Sequence, residues 1–199
     1  WRPLEERRQL TEMKRDFVLR SAARMFLDRG YGRSTMNDLA KGLNITKPAL
    51  YNYFAGKEEI LTECFRLGHL LAQQHIDRIT AQGGSGLEKA HGFIVAYAKI
   101  MTEDFGQCIG RLDDRELSPK ARHDVRSRKR DIDRQFRAFI AEGMADGSIR
   151  PCNIQLTTFA ILGALNWIGH WYRDDGSATP DNIADEFAAR LTEGLASPR

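Results

Sequence analysis

Residues 33–61 contain the start and stop signals of two short helices separated by a tight turn. Thr35 and Asp38 have the spacing of a capping box, so the first of these helices is predicted to begin just after Thr35. Gly42 and Asn44 are residue types that often adopt the left-handed conformation at the end of a helix. These signals predict a helix of about two turns followed by a sharp change of direction.

The second short helix is predicted to be capped by Thr46. Pro48 fits its first turn, where the backbone amides have no intrahelical partner. The helix is expected to end near Phe54, and a longer helix is expected to begin at Lys57. Two helices held at a fixed angle in this way are typical of a helix-turn-helix unit, which places its second helix in the major groove of DNA.

Outside this unit, apolar residues recur at spacings of three and four, which indicates helices rather than strands. We therefore predict an all-α fold of about nine helices. In this fold, a long fourth helix joins a three-helix DNA-binding head to a helical body. The predicted domains are residues 1–56 and residues 57–199. The predicted helices outside the helix-turn-helix unit are 9–29, 57–80, 87–103, a long polar helix from Pro119, 154–172 and 180–195. Residues 104–116 are expected to be irregular or to form a short helix.

The composition is that of a globular protein, with 42% hydrophobic and 29% charged residues. Its charges are distributed unevenly. Residues 1–57 hold 12 Lys and Arg against 6 Asp and Glu, a net charge of +6, whereas the remainder has a net charge of −3. A basic end joined to a mildly acidic body favours contact of that end with nucleic acid. A chance excess of surface cations is the alternative interpretation of the charge alone.

Several function classes lack their usual motifs. The five histidines form no HExxH motif, and there is no glycine-rich phosphate loop, so we expect no catalytic residue, no metal ligand and no cofactor. The three cysteines are widely spaced and predict reduced thiols. The N-terminal residues are charged and no apolar run approaches the ~18 residues of a membrane span, which predicts a cytoplasmic protein without membrane contact. A helical adaptor that binds proteins remains an alternative.

The 33–61 stretch resembles the DNA-binding domain of the tetracycline-repressor (TetR) family of bacterial transcription regulators. The resemblance covers roughly the first third of the chain and implies a ligand-responsive repressor. The matching residues are Ala22, Phe26 and Gly30-Tyr31 of helix one, Leu39-Ala40 of helix two, Leu50-Tyr51-Asn52-Tyr53-Phe54 at the recognition helix, and Lys57-Glu58-Glu59-Ile60-Leu61 at the start of helix four.

Candidate DNA contacts follow from side-chain chemistry and from this resemblance. Thr46 and Lys47 offer a hydroxyl and a long donor for base edges or phosphates, and Pro48 could meet a thymine methyl group. The resemblance implies that Thr35, Tyr53 and Lys57 hold phosphates. Tyr51 could reach a phosphate or, alternatively, pack between the helices. The full predicted set is Arg33, Ser34, Thr35, Thr46, Lys47, Pro48, Tyr51, Asn52, Tyr53 and Lys57.

Residues 154–172 are apolar on nearly every side, which is expected for the centre of a core or for half of a subunit interface. We predict a homodimer built on this helix and on residues 180–195, as the resemblance also implies. Two recognition helices about 34 Å apart would then contact the two half-sites of a palindromic operator.

The resemblance further implies a cavity in the body for a small hydrophobic effector. The sequence around Trp171 resembles regulators of lipid or steroid catabolism that respond to acyl-CoA. Arg111, Arg115, Arg122 or Arg126 could then bind the CoA phosphates, and a solvated charged helix face is the alternative for each of them. A regulator of multidrug efflux that senses lipophilic drugs is the alternative. The predicted lining residues are Leu67, Leu71, Phe93, Tyr97, Phe105, Arg111, Phe136, Phe139, Trp167 and Trp171, although core packing is the better explanation for each hydrophobic residue taken alone.

Overall fold

The computed structural model describes residues 4–111 and 113–195. The regular structure of these two ranges is helical apart from an isolated bridge residue, Ile149. The predicted all-α class is therefore confirmed. The helices are α1 (Leu4–Arg29), α2 (Met36–Gly42), α3 (Lys47–Tyr51), α4 (Lys57–Gln82), α5 (Gly86–Thr102), α6 (Asp104–Arg111), α7 (Pro119–Asp146), α8 (Ile154–Trp171) and α9 (Pro180–Glu193), with a 3-10 turn at Asp114–Glu116.

The capping signals of the helix-turn-helix unit form the predicted contacts. The Thr35 hydroxyl accepts a hydrogen bond from the Asp38 amide at 3.2 Å, and the Asp38 carboxylate accepts one from the Thr35 amide at 3.0 Å. The Thr46 hydroxyl accepts from the Ala49 amide at 3.3 Å. Both caps are local, so the sequence defines where α2 and α3 begin.

The ends of these helices differ from the prediction in two places. Asn44 is left-handed as expected, with a φ of 53°, but Gly42 stays in the last turn of α2. Gly42 is needed for close packing instead, because an added Cβ would lie 2.7 Å from the Met25 sulfur. In addition, α3 ends at Tyr51 rather than near Phe54, and Phe54 is buried in the core.

Of the two alternatives for residues 104–116, the short helix is the one that forms, since Asp104–Arg111 is α6. Two glycines within eight residues lower its intrinsic helix propensity, so tertiary burial of Phe105 and Cys108 stabilises it. Gly106 permits the tight approach to α5, because a Cβ there would lie 1.8 Å from the Ile100 carbonyl oxygen.

Two hydrophobic clusters fill the interior, and α4 contributes to both. The head cluster contains residues of α1, α2, α3, the first half of α4, α6 and the start of α7. The body cluster contains residues of the second half of α4 and of α5, α7, α8 and α9. Hydrophobic packing therefore continues across residue 56, where the first predicted domain ends. Members of the head cluster include Leu19, Phe26, Leu39, Leu50, Phe54, Ile60, Leu61, Phe65 and Phe105. Members of the body cluster include Phe93, Ile94, Tyr97, Met101, Phe136, Phe139, Leu165 and Ile168.

Among the described residues, no helix combines the length and the apolar character that crossing a membrane requires. Nor do these residues include a group of three or more His, Cys, Asp or Glu side chains arranged to hold a metal ion.

The contact between α5 and α7 gives a testable prediction about stability. A Cβ at Gly86 would lie 2.0 Å from the backbone nitrogen of Gly143, whereas one at Gly92, on the same helix, would only touch the Ile79 side chain at 3.4 Å. Gly86→Ala is expected to lower the free energy of unfolding by about 2 to 3 kcal/mol. Gly92→Ala is expected to leave it unchanged or raise it by up to about 1 kcal/mol. Urea denaturation measures both, and equal stability of the two variants would contradict the close approach.

Candidate DNA-binding and effector sites

The first turn of α3 presents an exposed polar surface on a buried support. Thr46, Lys47 and Pro48 are exposed, while Leu50 on the opposite side is fully buried in the head cluster. Tyr51 is 46% exposed, and the Lys47 ammonium lies 5.9 Å from the centre of its ring. These side chains form one outward-facing group, and the exposure of Tyr51 favours its interpretation as a surface contact.

The remaining predicted DNA contacts fall into three environments. Arg33, Thr35 and Asn52 are exposed near α2 and α3, and Tyr53 is half-buried. Ser34, by contrast, is buried, and its hydroxyl donates a hydrogen bond to the Gly30 carbonyl oxygen at 2.8 Å, so it serves the turn between α1 and α2.

Lys57 connects the start of α4 to the turn after α1. Its ammonium donates to the Tyr31 carbonyl oxygen at 3.1 Å and lies 4.4 Å from the centre of the Tyr31 ring. Burial, reinforced by the negative charges of Glu58 and Glu116, raises the pKa of Tyr31 to about 12, so this ring is neutral at physiological pH. Lys57 therefore has a structural role beside any contact with DNA.

Ion pairs and a backbone contact hold α1 against the body. Arg24 of α1 bonds to the buried carboxylate of Asp104 in α6 at 2.9 Å, and this hydrogen bond and the charge of Asp104 raise the pKa of Arg24. Arg15 bonds to Glu63 of α4, also at 2.9 Å. Arg111 of α6 donates to the Leu27 carbonyl oxygen of α1 at 3.2 Å. The head is thus attached to both α4 and α6.

A cavity of about 690 Å³ lies between α4, α7 and α8, within the usual size range of ligand sites. Its wall is mostly apolar but has a basic segment on α7. The apolar lining is Phe65, Gly68, Ala72, Tyr97, Ile109, Val125, Ile132, Phe159, Leu162 and Gly163. The polar lining is His69, Arg128, Lys129, Arg130, Asp133, Arg137 and Asn166.

Two polar groups inside this wall could orient a ligand. The buried Tyr97 hydroxyl donates to the Asn166 side-chain oxygen at 3.1 Å, and burial raises the pKa of Tyr97 to about 12, so it remains a donor. Burial, and then the charge of Arg128, lower the pKa of His69. The Nδ1 atom of His69 is buried without a hydrogen-bond partner among the described residues.

Of the predicted lining residues, Tyr97 alone borders this cavity. Arg111 and Trp171 border a second, more polar cavity of about 540 Å³ between α1, α6 and the end of α8. Trp167 is exposed on α8. The others pack within the two clusters: Leu67, Leu71, Phe93, Phe105, Phe136 and Phe139.

Sequence reasoning missed the basic lining residues of α7. The run Arg128-Lys129-Arg130 was visible as part of a highly charged helix, which is ordinarily a solvated surface. Neighbouring arginines considered for CoA phosphates have protein partners instead, since Arg115 pairs with Asp113 and Arg126 with Asp114. Only the packing of α4 and α8 against α7 reveals that the run borders a cavity.

A helix-turn-helix head carried on a helical body with a partly open cavity defines a ligand-responsive DNA-binding regulator. Family models bear this out over most of the chain. The model of the "Bacterial regulatory proteins, tetR family" matches residues 18–64, and that of the "Tetracyclin repressor-like, C-terminal domain" matches residues 83–195. The chain belongs to the TetR family of bacterial transcriptional regulators.

Individual relatives agree along nearly the whole chain. The HTH-type transcriptional repressor KstR2 of Mycolicibacterium smegmatis is 29% identical over 189 residues, covering 92% of this chain and 90% of that protein. The TetR-family regulator PfmR of Thermus thermophilus has a TM-score of 0.80 and 27% identity, over 90% of this chain and 99% of PfmR. AibR, solved in complex with isovaleryl coenzyme A and operator DNA, has a TM-score of 0.78 and 25% identity, over 89% of this chain and 97% of AibR.

The two lysines of the head are expected to respond differently to substitution. Lys47→Ala should change which operator sequences are preferred, because Lys47 lies exposed at the first turn of α3. Lys57→Ala should weaken binding to all sequences alike and also lower the free energy of unfolding by about 1 kcal/mol, since it removes the bond to Tyr31. Fluorescence anisotropy with a set of operator variants, together with urea denaturation, measures these effects. Identical profiles for the two variants would contradict this division of roles.

Proposed function

We propose that this protein is a repressor that binds a palindromic operator as a homodimer and releases it when an acyl-CoA enters the body cavity. In this proposal residues 1–56 bind the operator, and residues 57–199 bind the effector and form the dimer. The observation that carries the effector assignment is the cavity itself, whose apolar wall is bordered by a basic segment of α7.

The head supports the DNA-binding role through its exposed polar surface. We propose that Thr46, Lys47 and Pro48 face base edges, as their exposure at the start of α3 allows. The flanking residues would hold phosphates and fix the register of the head on the duplex. These flanking residues are Arg33, Thr35, Tyr51, Asn52, Tyr53 and Lys57.

The homodimer is supported by large apolar side chains left in solvent on α8. Leu156, Phe159, Trp167 and Trp171 are 64%, 53%, 61% and 42% exposed, while the opposite face of the helix packs into the body. A contiguous apolar surface of this kind on a globular protein marks an interaction site. Pairing of α8 and α9 with a second copy of the chain would cover it and present two recognition helices together.

The dimer proposal predicts the effect of a charge on this surface. Leu156→Glu is expected to shift the protein from dimer to monomer and to reduce operator affinity by at least about tenfold, because each monomer contacts one half-site. Leu70→Glu, which places the same charge on an exposed leucine of α4, serves as the control. Analytical ultracentrifugation and anisotropy measure both properties. A Leu156→Glu protein that remains dimeric would contradict this interface.

An acyl-CoA has an apolar acyl chain and anionic phosphates, which match the apolar part and the basic part of the cavity wall. Its acyl chain would lie against Phe65, Ile132 and Leu162, and its phosphates would meet the cations of α7. The Tyr97–Asn166 pair could hydrogen-bond the thioester carbonyl. AibR, whose solved structure is similar to this one, holds isovaleryl coenzyme A, which supports an acyl-CoA as the effector.

A lipophilic drug is the alternative effector, which would make the protein a regulator of multidrug efflux. The apolar wall would accept such a compound. The neighbouring cations Arg128, Lys129 and Arg130 disfavour it for drugs that are themselves cationic, because like charges repel across a site of low polarity.

The two effector classes are separated by thermal stability and operator release. Decanoyl-CoA is expected to stabilise the folded protein, by about 2.7 kcal/mol at a hundredfold excess over its Kd, and to release the operator. Coenzyme A without an acyl chain and the cationic dye rhodamine 6G are the controls, and both are expected to have little effect. Stabilisation and release by rhodamine 6G but not by acyl-CoAs of four to sixteen carbons would favour the efflux alternative.

A further inference from the structure

The face of α8 that borders the cavity carries one polar side chain. Its four lining residues recur at spacings of three and four, and they are Phe159, Leu162, Gly163 and Asn166. A carboxamide in an apolar stripe is costly to remove from water unless it is hydrogen-bonded. Tyr97 of α5 supplies a bond, since its hydroxyl oxygen lies 3.1 Å from the Asn166 Oδ1 atom.

Tyr97 is held in place by the aromatic rings around it. Its ring is stacked on that of Phe93, with the ring centres 5.2 Å apart, and Phe93 is stacked in turn on Phe136 at 4.5 Å. Tyr97 is 7% exposed, so its hydroxyl projects from a closely packed core. The carboxamide that bonds to this hydroxyl is therefore fixed in position as well.

The orientation of the carboxamide follows from the proton of the phenol. Within the described residues, Oδ1 of Asn166 is the one acceptor of the Tyr97 hydroxyl. If the carboxamide were turned over, Nδ2 would face the phenol oxygen and the buried phenol proton would have no acceptor, which is unfavourable. Oδ1 therefore faces Tyr97, and the two N–H groups of Nδ2 face away from it.

These two N–H groups are donors without a protein acceptor. No hydrogen bond among the described residues uses them, and Nδ2 is not one of the polar atoms that are buried without a partner. The backbone of Asn166 is covered by α6, because a Cβ on Gly110 would lie 2.8 Å from the Asn166 carbonyl oxygen. The open space that the residue borders is the cavity. Asn166 thus presents two donors to the cavity beside the apolar residues of the same helix face.

We propose that Asn166 is the specificity-determining residue of the cavity, whose N–H groups bind a carbonyl oxygen in the apolar part of the effector, and that Tyr97 positions it. This inference rests on the proposed function, because it assigns a group of the acyl-CoA to a residue of the same cavity. The carbonyl is either that of the thioester or a ketone along the acyl chain. A compound without it would cover the donors and leave them unsatisfied, so it should bind roughly tenfold more weakly.

Paired ligands identify the source of the carbonyl. Decanoyl-CoA against the thioether S-decyl-CoA isolates the thioester carbonyl, and the 3-, 5- and 7-oxodecanoyl-CoAs against decanoyl-CoA isolate a ketone of the chain. Calorimetric titration of the unaltered protein is expected to show a roughly tenfold preference for the carbonyl compound in at least one of these comparisons. Absence of a preference in all of them would overturn the assignment.

Asn166→Leu removes the donors at nearly constant volume and is expected to abolish that preference. Leu162→Ala, one turn earlier on the same lining face, is the matched control. It shortens an apolar contact that both members of a pair share, so it should weaken both alike and leave the preference intact. Because Asn166→Leu deprives the Tyr97 hydroxyl of its acceptor, the double variant Tyr97→Phe/Asn166→Leu replaces it if the single variant does not fold. A preference that survives loss of the carboxamide would overturn the role of Asn166.

Tyr97→Phe tests the positioning role separately. It is expected to retain binding of the carbonyl compound but to reduce the preference, because the carboxamide is then free to turn over. Infrared spectroscopy of a ligand labelled with an isotope at the carbonyl reports the hydrogen bond itself. The carbonyl band is expected to shift to lower frequency on binding to the unaltered protein, to shift less in Tyr97→Phe and not to shift in Asn166→Leu. Identical bands in the three proteins would overturn both roles.

A ketone without coenzyme A separates this assignment from the proposed function. If none of the acyl-CoAs binds, the acyl-CoA assignment is refuted, and 2-decanone becomes the probe of Asn166. It is then expected to raise the melting temperature of the unaltered protein and of Leu162→Ala more than that of Asn166→Leu. That result would leave the carbonyl site standing, whereas equal shifts in the three proteins would overturn it.

Discussion

The continuity of α4 is the constraint on which the other features depend. This helix runs without a break from Lys57 to Gln82, a length of about 39 Å. Leu61 and Phe65 pack in the head cluster, and Ala72 and Ile76 pack in the body cluster. Because one half of the helix packs in each cluster, the head and the body cannot move relative to each other without moving α4.

α6 provides the second connection, and it borders the cavity that we propose as the effector site. Its first residue, Asp104, holds Arg24 of α1, while Ile109 lines the cavity wall beside Lys129. α4 and α6 therefore both line the cavity and contact α1, which is the basis for the proposed coupling between effector and DNA. In thermodynamic terms, DNA and effector are expected to bias one equilibrium between two arrangements of the head.

The sequence was sufficient where structure is determined locally and insufficient where it depends on packing. Thr35, Asp38 and Thr46 cap helices through bonds to residues three positions away, so their roles could be predicted. The residues that line the cavity could not be predicted in this way. Phe93 and Tyr97 follow the same helical spacing, and only the placement of α8 separates the core residue from the lining residue. Lys129 lies on a helix so charged that its solvated and cavity-facing sides look alike until α4 and α8 are placed.

The most direct test of the coupling is to measure effector affinity with and without DNA. Decanoyl-CoA would be titrated calorimetrically into the protein alone and into the protein saturated with an operator selected from random sequences. The account predicts that bound operator weakens effector binding by the same factor by which the effector weakens operator binding, typically about 5- to 150-fold. Equal effector affinity in the two titrations would contradict the coupling through α4 and α6.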